Sequence, residues 1–217
     1  MDVGAYVFTA VAGYLLGSIP TGYIVGKARG VDLRMVGSGN IGATNVFRTL
    51  GKRLGILVLV IDGLKGYAAC AWVPDLVIRY LTNKYGPGDP RMYDALRIAG
   101  GLSAVLGHNY TCWLKFKGGK GIATSAGMLA ALVPLAFIIV LAIWIVMFAV
   151  TRYVSVASIV GAVALPFAAY LTRNSATIVM VTALMAALAV YKHRSNIQRL
   201  LNGTESRFVR KPKEQHS

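Results

Sequence analysis

The 217-residue chain has little charge, very few acidic residues and almost no cysteine. Charged residues make up 14% of the chain and hydrophobic residues 56%, whereas ordinary globular domains are about 25% charged. This balance disfavours a soluble domain and indicates an integral membrane protein. Asp and Glu number 8 against 23 Lys and Arg. Such an excess suits nucleic acid, anionic lipid or anionic substrate, and nucleic acid is the weakest of the three because the basic residues lie between apolar segments.

Cys70 and Cys112 are the only cysteines, and they form neither a C-x-x-C pair nor a metal-ligand spacing. We therefore predict free, packed thiols, with no metal site. The N-terminal segment MDVGAYVFTA lacks the basic region and the cleavage site of a signal peptide. We expect the first apolar stretch to be retained as a helix.

The apolar segments predict an all-α integral membrane protein with seven transmembrane helices, because a spanning helix needs about 20 mainly apolar residues. The predicted spans are 3–26, 54–80, 95–113, 121–133, 134–151, 153–172 and 175–191. The long stretch 121–151 is divided at Pro134, and Pro74 predicts an irregularity in 54–80. Because 121–133 is short, a five-span alternative stays open, with that region and one neighbour re-entrant.

Basic residues collect on one predicted face, which holds 17 of the 23 Lys and Arg residues. The positive-inside rule makes this face cytoplasmic. It predicts an N-terminus outside and a C-terminus in the cytoplasm. The segment 82–94, with its Gly and Pro turn signals, is expected to be an exposed connector on the opposite face.

The segment 37–53, GSGNIGATNVFRTLGKR, combines glycines with neutral donors and basic residues. Its formal G-x-G-x-x-G pattern is not a dinucleotide fingerprint, because an apolar helix rather than a strand precedes it. Glycines let backbone N–H groups approach an anion, and a following helix N-terminus favours negative charge. Hydroxyl, amide and guanidinium donors add to this. A membrane turn with basic flanks is the alternative interpretation.

The segment 107–127, GHNYTCWLKFKGGKGIATSAG, contains the K-G-G-K-G loop (residues 117–121). Lys117 and Lys120 stand on this bend immediately before a predicted helix, although the Walker A spacing is absent. The arrangement indicates an anion site, and a plain turn with positive-inside lysines is the alternative. His108 ends a predicted span and is expected to make a structural hydrogen bond.

The segment 191–208, YKHRSNIQRLLNGTESRF, places His193, Asn196 and Ile197 on one face if it is helical. Glu205 is the only acid of this region and is expected to pair with a nearby arginine. Ser155 and Ser158 begin the sixth predicted span and offer hydroxyl donors at the same membrane face.

Asp62 and Lys65 lie three residues apart inside a predicted span. Ionisable residues there are costly and usually face the bundle interior or a cavity. We expect a mutual ion pair that holds the helices near the site.

Taken together, these segments resemble the bacterial acyl-phosphate:glycerol-3-phosphate acyltransferases. The resemblance rests on the order GSGNIGATNVFRTLGK, DGLKG, GHNYTCWLKFKGGKGIATSAG, RYVSVASI and YKHRSNIQRLLNGTE, from about residue 10 to residue 208. The connector at 82–94 looks longer than the family's usual loop. We expect one transmembrane acyltransferase domain over 1–208 and a basic, disordered cytoplasmic tail over 209–217.

The resemblance implies transfer of a fatty acyl group from acyl-phosphate to the sn-1 hydroxyl of glycerol 3-phosphate. The products are lysophosphatidate and inorganic phosphate, in the first step of phospholipid biosynthesis. The implied location is the bacterial cytoplasmic (inner) membrane, with the active site on the cytoplasmic face. No cofactor and no nucleic acid is expected. The expected partners are acyl-phosphate, glycerol 3-phosphate, membrane lipids and, through functional coupling, the enzyme that makes acyl-phosphate.

The candidate residues fall into three groups. The catalytic candidates are Ser38, Arg48, Lys120, His193 and Asn196. The substrate-binding candidates are Gly39, Asn40, Thr44, Asn45, Lys117, Gly118, Gly119, Gly121, Thr124, Ser155 and Ser158, with Ser158 favoured over Ser155. The structural candidates are Asp62, Lys65, His108 and Glu205. The H-x-x-x-x-D motif of acyl-CoA enzymes is missing, since neither His108 nor His193 has an Asp five residues later.

The chemistry agrees with this inventory, because an acyl-phosphate is a mixed anhydride that needs no enzyme nucleophile. Positioning and charge stabilisation would supply most of the rate gain. The resemblance suggests the donor's own phosphate as the proton acceptor, with His193 as the alternative, and places the acyl chain between helices. A transporter or channel for phosphate or organophosphates is the alternative function. Transporters usually carry internal repeats around a midplane site, and no repeat is visible here.

Overall fold

The computed structural model describes residues 3–85 and 90–208, and these residues form helices and connecting loops without a β-strand. A 3-10 turn, Cys112–Leu114, precedes the seventh helix. The predicted all-α class is confirmed. The helices are α1 (Val3–Ser18), α2 (Thr21–Ala28), α3 (Ala43–Leu50), α4 (Lys52–Cys70), α5 (Trp72–Tyr85), α6 (Pro90–Asn109), α7 (Ile122–Leu132), α8 (Pro134–Thr151), α9 (Val154–Leu171), α10 (Ala176–Lys192) and α11 (Arg194–Leu201).

Four helical segments of the described chain are long and apolar enough to cross a membrane. A fifth results if α10 and α11, which meet at a 54° bend, count as one span. α7 has only 11 residues, and α6 carries Arg91, Asp94 and Arg97. The fold is thus a multi-pass helical membrane fold with four or five candidate spans, and seven crossings stay a prediction. The four segments are Val3–Ala28, Lys52–Lys84, Pro134–Thr151 and Val154–Leu171.

The predicted connector at 82–94 is largely helical, so that prediction was wrong. α5 continues to Tyr85 and α6 begins at Pro90, while residues 86–89 lie outside the described part. Proline suits the first position of a helix, because the N–H that it lacks has no intrahelical partner there. The proline signal therefore marks a helix start and not a long loop.

The irregularity predicted at Pro74 is present. α4 ends at Cys70 and α5 begins at Trp72. Pro74 has no N–H with which to bond the carbonyl of Cys70, so the regular hydrogen-bond ladder cannot run through this point. The predicted span 54–80 consequently consists of two consecutive helices.

A second break, at Pro20, separates α1 from α2, and side chains from α4 and from the loop after α6 donate to the carbonyl groups at this break. Lys65 Nζ donates to the Ile19 carbonyl at 2.9 Å. Thr111 Oγ1 donates to the Ser18 carbonyl at 2.6 Å. Carbonyls at a helix end lack intrahelical partners, and in apolar surroundings an unsatisfied one is costly. The break is therefore tied to α4 and to the chain after α6.

A third break lies between α7 and α8, at Pro134. The Arg97 guanidinium of α6 donates to the Ala131 carbonyl in the last turn of α7. Arg97 also lies over the Tyr93 ring, 5.3 Å from its centroid. A basic side chain thus donates a hydrogen bond to a carbonyl at this break, as Lys65 does at the break at Pro20.

Small residues bring the helices that carry the candidate site into close contact. A Cβ at Gly17 of α1 would lie 2.1 Å from the Ala104 carbonyl oxygen of α6. One at Gly66 of α4 would lie 2.0 Å from the Thr124 carbonyl oxygen of α7. Close approach over small residues is the usual basis of helix association in membranes. Larger side chains here would force α1 from α6 and α4 from α7.

Contacts divide the chain into two compact units, Met1–Phe137 and Ile138–Ser217. The first unit contains α1–α7 and the start of α8. The second contains the rest of α8 with α9–α11, and within it the rings of Phe148 and Phe208 meet edge to face at 5.6 Å. The single domain over 1–208 stays a prediction. The predicted tail at 209–217 lies outside the described residues.

Candidate active site

The loop between α2 and α3 folds around the Asn45 side chain. Its amide nitrogen donates to the carbonyls of Leu33 and Val36, both at 3.1 Å, and to that of Asn40 at 2.9 Å. Its carbonyl oxygen accepts the Ser38 N–H at 3.0 Å. Asn45 is buried, so its amide supports the loop. The prediction that Asn45 binds substrate directly finds no support in these contacts.

The remaining candidates of this loop surround that amide. Ser38 and Gly39 are exposed. The Asn40 side-chain oxygen accepts the Gly42 N–H at 2.8 Å and so fixes the turn before α3. Thr44 lies in the first turn of α3, and Arg48 is exposed one turn later. The loop thus exposes a serine and a glycine before α3, and α3 exposes an arginine in its last turn.

An ion-paired cluster fixes the start of this loop. Asp32 accepts two hydrogen bonds from the Arg34 guanidinium, at 2.9 and 2.7 Å, and lies 3.5 Å from Lys27 Nζ. The hydrogen bonds from Arg34 hold the pKa of Asp32 well below its usual range, and the same contact raises the pKa of Arg34. Arg34 also covers the Tyr23 ring, 4.8 Å from its centroid.

The K-G-G-K-G loop rests on the C-terminal end of α6. The Gly118 N–H donates to the Asn109 carbonyl at 3.2 Å, and the Gly119 N–H donates to the His108 carbonyl at 2.9 Å. These two amides are therefore bonded within the protein. Gly118 and Gly119 were predicted to bind substrate; their N–H groups are taken up by α6, and contact between these two glycines and substrate stays a prediction.

The other residues of this loop differ in exposure. Lys117 is exposed and Lys120 is half-buried. Gly121 has φ +78°, the left-handed conformation that favours glycine, and it precedes α7. Thr124 is fully buried, and its hydroxyl has no hydrogen-bond partner among the described residues. The two lysines are the groups of this loop best placed to meet an anion.

A buried polar network lies beneath the K-G-G-K-G loop. Lys65 Nζ lies 2.8 Å from Asp62 Oδ1, which confirms the predicted ion pair. Asp62 Oδ1 also accepts from Thr21 Oγ1 at 3.0 Å. His108 Nδ1 lies 3.7 Å from the same carboxylate oxygen. The network joins α2, α4 and the end of α6, so one carboxylate organises three elements of the first unit.

In the second unit, Glu205 is the centre of a hydrogen-bond cluster. Its Oε1 accepts from Ser155 Oγ at 2.8 Å and from Asn196 Nδ2 at 2.7 Å, and its Oε2 accepts from Arg199 Nε at 2.7 Å. The predicted Glu–Arg pairing is confirmed. Although burial opposes ionisation, these hydrogen bonds outweigh it and hold the pKa of Glu205 below its usual value.

Two further candidates of this unit are buried. The Ser158 hydroxyl accepts from Trp144 Nε1 at 3.2 Å. His193 lies at the bend between α10 and α11, with its Nδ1 2.8 Å from the Ala189 carbonyl oxygen. A carbonyl can only accept, so Nδ1 carries the proton and the neutral ring has its lone pair on Nε2. His193 and Asn196 are both buried.

The part of the chain that the structure describes holds no group of three His, Cys, Asp or Glu side chains placed to bind a metal ion. Cys70 and Cys112 form no disulfide, as predicted, and Cys70 is buried.

Comparison with known proteins decides the family. The model of the glycerol-3-phosphate acyltransferase family matches residues 7–203. The chain belongs to this family. The glycerol-3-phosphate acyltransferase of Geotalea daltonii is 48% identical, over 92% of this chain and 96% of its own length. That of Geobacter sulfurreducens is 47% identical, over 93% and 96%.

Solved structures agree. The integral membrane glycerol 3-phosphate acyltransferase PlsY (YgiH), in its glycerol 3-phosphate form, matches with a TM-score of 0.82 and 38% identity, over 95% of this chain and 96% of that chain. Its lysophosphatidic acid form matches with a TM-score of 0.79 and 36% identity. The chain is an acyltransferase and a multi-pass integral membrane protein.

The acids flanking the two loops of this acyltransferase are already ion-paired, Asp32 with Arg34 and Asp62 with Lys65. The loops are therefore net basic and suit phosphate groups. Sequence reasoning missed Thr21, Tyr23 and Asp32 as supporting residues. The spacing Asp32-x-Arg34 could have predicted the ion pair between these two residues. Nothing in the local sequence connects Thr21 with the Asp62 carboxylate, 41 residues later.

Proposed function

We propose that the chain transfers a fatty acyl group from acyl-phosphate to the sn-1 hydroxyl of glycerol 3-phosphate, giving lysophosphatidate and inorganic phosphate. The observation that carries this proposal is that both polar loops of the first unit keep a basic surface, because Arg34 and Lys65 engage their acids. Donor and acceptor each bring a phosphate. Two net-basic loops fit such a pair of anions better than they fit a neutral acceptor.

The reaction needs no enzyme nucleophile. The glycerol hydroxyl oxygen forms the new bond to the acyl carbonyl carbon, and the bond from that carbon to the phosphate oxygen breaks. The hydroxyl proton passes to the donor's own phosphate, which leaves as inorganic phosphate. Arg48 and Lys120 would hold phosphate charge, and Ser38 would orient a substrate by hydrogen bonding. His193 as the proton acceptor is the second possibility.

The test is acyl transfer by the purified chain in lipid. Palmitoyl-phosphate and radiolabelled glycerol 3-phosphate should give labelled lysophosphatidate, and palmitoyl-CoA as the matched donor should give none. NMR of the product should place the acyl group at the sn-1 position. Product formed from palmitoyl-CoA alone would show that the donor is wrong. No product from either donor in any lipid or detergent would favour the transporter.

We also propose seven crossings in the bacterial inner membrane, with the N-terminus outside and the site on the cytoplasmic face. The charge asymmetry supports this, since 17 of 23 basic residues fall on one predicted face. Single cysteines at the exposed positions Ser38, Lys117 and Asn202, in a Cys70→Ser/Cys112→Ser background, should react with a membrane-impermeant maleimide only after the cytoplasmic side is opened. Labelling of any of them in intact spheroplasts would contradict this topology.

A further inference from the structure

We propose that His108 is the positioning residue of the K-G-G-K-G loop, and that position 119 requires glycine because of the His108 ring and not because a phosphate must approach it. The inference rests on the proposed function only for its kinetic test. It replaces the usual reading of a glycine-rich anion loop, in which the missing side chain leaves space for the ligand.

The amide groups give the first support. The N–H groups of Gly118 and Gly119 donate to the carbonyls of Asn109 and His108, so the last residues of α6 determine the path of the loop. A backbone held by two such bonds presents its flanking side chains in one place. Lys120 follows directly, and its position is therefore set from α6.

The space at each glycine gives the second support. An ideal Cβ at Gly119 would lie 2.1 Å from His108 Nε2 and 3.0 Å from both Cδ2 and Cε1, and these are its three nearest neighbours. An ideal Cβ at Gly118 would instead lie 2.1 Å from the His108 carbonyl oxygen and 2.9 Å from the Asn109 carbonyl carbon. Adjacent glycines thus meet different parts of the same residue, one the ring and the other the backbone.

The opposite edge of the ring gives the third support. His108 Nδ1 lies 3.7 Å from Asp62 Oδ1, and Lys65 and Thr21 hold that carboxylate from two other directions. The imidazole is buried between a fixed carboxylate and the backbone of Gly119. The ring thus sets the distance between α4 and the loop, and so helps to determine where Lys120 lies.

The experiment is a pair of double-mutant cycles. The first combines Gly119→Ala with His108→Ala, and the matched control combines Gly118→Ala with His108→Ala. Truncating His108 removes the three nearest neighbours of a Cβ at position 119 but leaves the backbone atoms that a Cβ at position 118 would strike. Asp62 retains Lys65 and Thr21 in all variants. Each is assayed for kcat and for the KM of glycerol 3-phosphate, with folding checked by thermal unfolding.

We expect Gly119→Ala to lower kcat/KM at least about tenfold in the presence of His108, and less than about twofold further when His108 is already Ala. Gly118→Ala should be equally harmful in both backgrounds. His108→Ala should raise the KM for glycerol 3-phosphate. His108→Gln, which retains a polar side chain of similar length, should bring that KM much of the way back to the wild-type value. Equal losses of kcat/KM for Gly119→Ala in both backgrounds would overturn the proposal. They would indicate that glycine is required at position 119 to leave space for the bound ligand.

A second measurement does not depend on acyl transfer. Trypsin cleaves after lysine, so displacement of the loop should expose the Lys117–Gly118 and Lys120–Gly121 bonds. Cleavage there should accelerate in Gly119→Ala and in His108→Ala, and the double variant should be no faster than His108→Ala. Unchanged cleavage in the single variants would refute the positioning role. If the wild-type protein shows no acyl transfer but the cleavage pattern is as expected, the proposed function is refuted and the positioning role of His108 stands.

Discussion

Ser155 Oγ donates a hydrogen bond to Glu205 Oε1 across 50 residues of chain, at 2.8 Å. The contact fixes the segment after α11 to the first turn of α9. Backbone bonding adds to it, since the Phe208 N–H donates to the Arg152 carbonyl at 2.9 Å. Ser155 helps to hold Glu205 through this bond, and its predicted contact with substrate stays a prediction.

Glu205→Gln should make the stability of the protein less dependent on pH. The pKa of Glu205 is held below its usual 4.5, so the ionised form is favoured by folding. Its contribution is fully present above about pH 4.5 and is lost as the pH falls through the lowered folded pKa. Thermal unfolding between pH 3 and pH 7 should show a decline at the acidic end that is smaller in Glu205→Gln than in the wild type, since Asp32, whose pKa is also lowered, remains in both. Parallel profiles would contradict this account.

Asp62→Asn should reduce folded yield sharply, because Lys65 would keep a buried charge without its carboxylate. Breaking one side of such a pair costs about 3–5 kcal/mol. Asp62→Asn/Lys65→Met removes both charges and should recover part of the yield, although the Ile19 carbonyl then loses its donor. Leu64→Ala, at an exposed position of the same helix, is the matched control. A normal yield of Asp62→Asn in size-exclusion chromatography would show that the pair is dispensable.

Arg48→Ala and Lys120→Ala should each lower kcat/KM by more than about tenfold, about 1.4 kcal/mol of lost charged phosphate contact. Lys52→Ala is the control, because Lys52 is an exposed cation just after α3 with no assigned contact to substrate. All three variants should unfold at temperatures close to that of the wild type. Near-normal kcat/KM in either test variant would show that the substituted residue does not bind substrate phosphate and that its segment is only a connector.

His193 allows two roles with opposite pH dependence. Its Nδ1–H is directed to the Ala189 carbonyl, so the neutral ring can only accept a hydrogen bond at Nε2. Binding a phosphate oxygen through Nε2 therefore requires the protonated ring, whereas acting as a base requires the neutral one. We expect binding, so the KM for glycerol 3-phosphate should rise as the pH increases and the ring loses its proton.

His193→Gln separates the two roles. If His193 binds phosphate, this variant should raise the KM, retain appreciable kcat and lose the alkaline rise in KM. Proton transfer by a positioned side chain is typically worth about 10²–10⁴-fold in rate. A fall in kcat of about a thousandfold at unchanged KM, in a variant shown to be folded, would make His193 the base.

The features predictable from the sequence are those that depend on neighbours along the chain. The Asp62–Lys65 pair follows from a three-residue spacing in an apolar helix, and the confirmed Glu205–Arg199 pair follows from a lone acid among bases. The helical class follows from composition. Each needed only local spacing and the cost of charge in apolar surroundings.

Features that depend on the path of the backbone were beyond such reasoning. Asn45 was predicted to bind substrate because amides bind phosphate, but the loop returns its own carbonyls to that amide. Gly119 was predicted to face a ligand, and only the packing of the loop on α6 shows the His108 ring in that space. By contrast, the break predicted at Pro134 is confirmed, because α7 ends at Leu132 and α8 begins at Pro134.

The bond from Lys65 to the Ile19 carbonyl bears on how the chain enters the bilayer. A lysine within an apolar helix resists insertion, and the carbonyl partner of Lys65 lies 46 residues earlier in the chain. The segment bearing Lys65 should therefore be released into lipid most readily while α1 and α2 are still beside it at the translocon. The segments Val3–Ala28 and Lys52–Lys84 would then enter the bilayer together. In an in vitro glycosylation-mapping assay, deletion of α1 should prevent α4 from inserting, so that α4 stays at the translocon or is translocated.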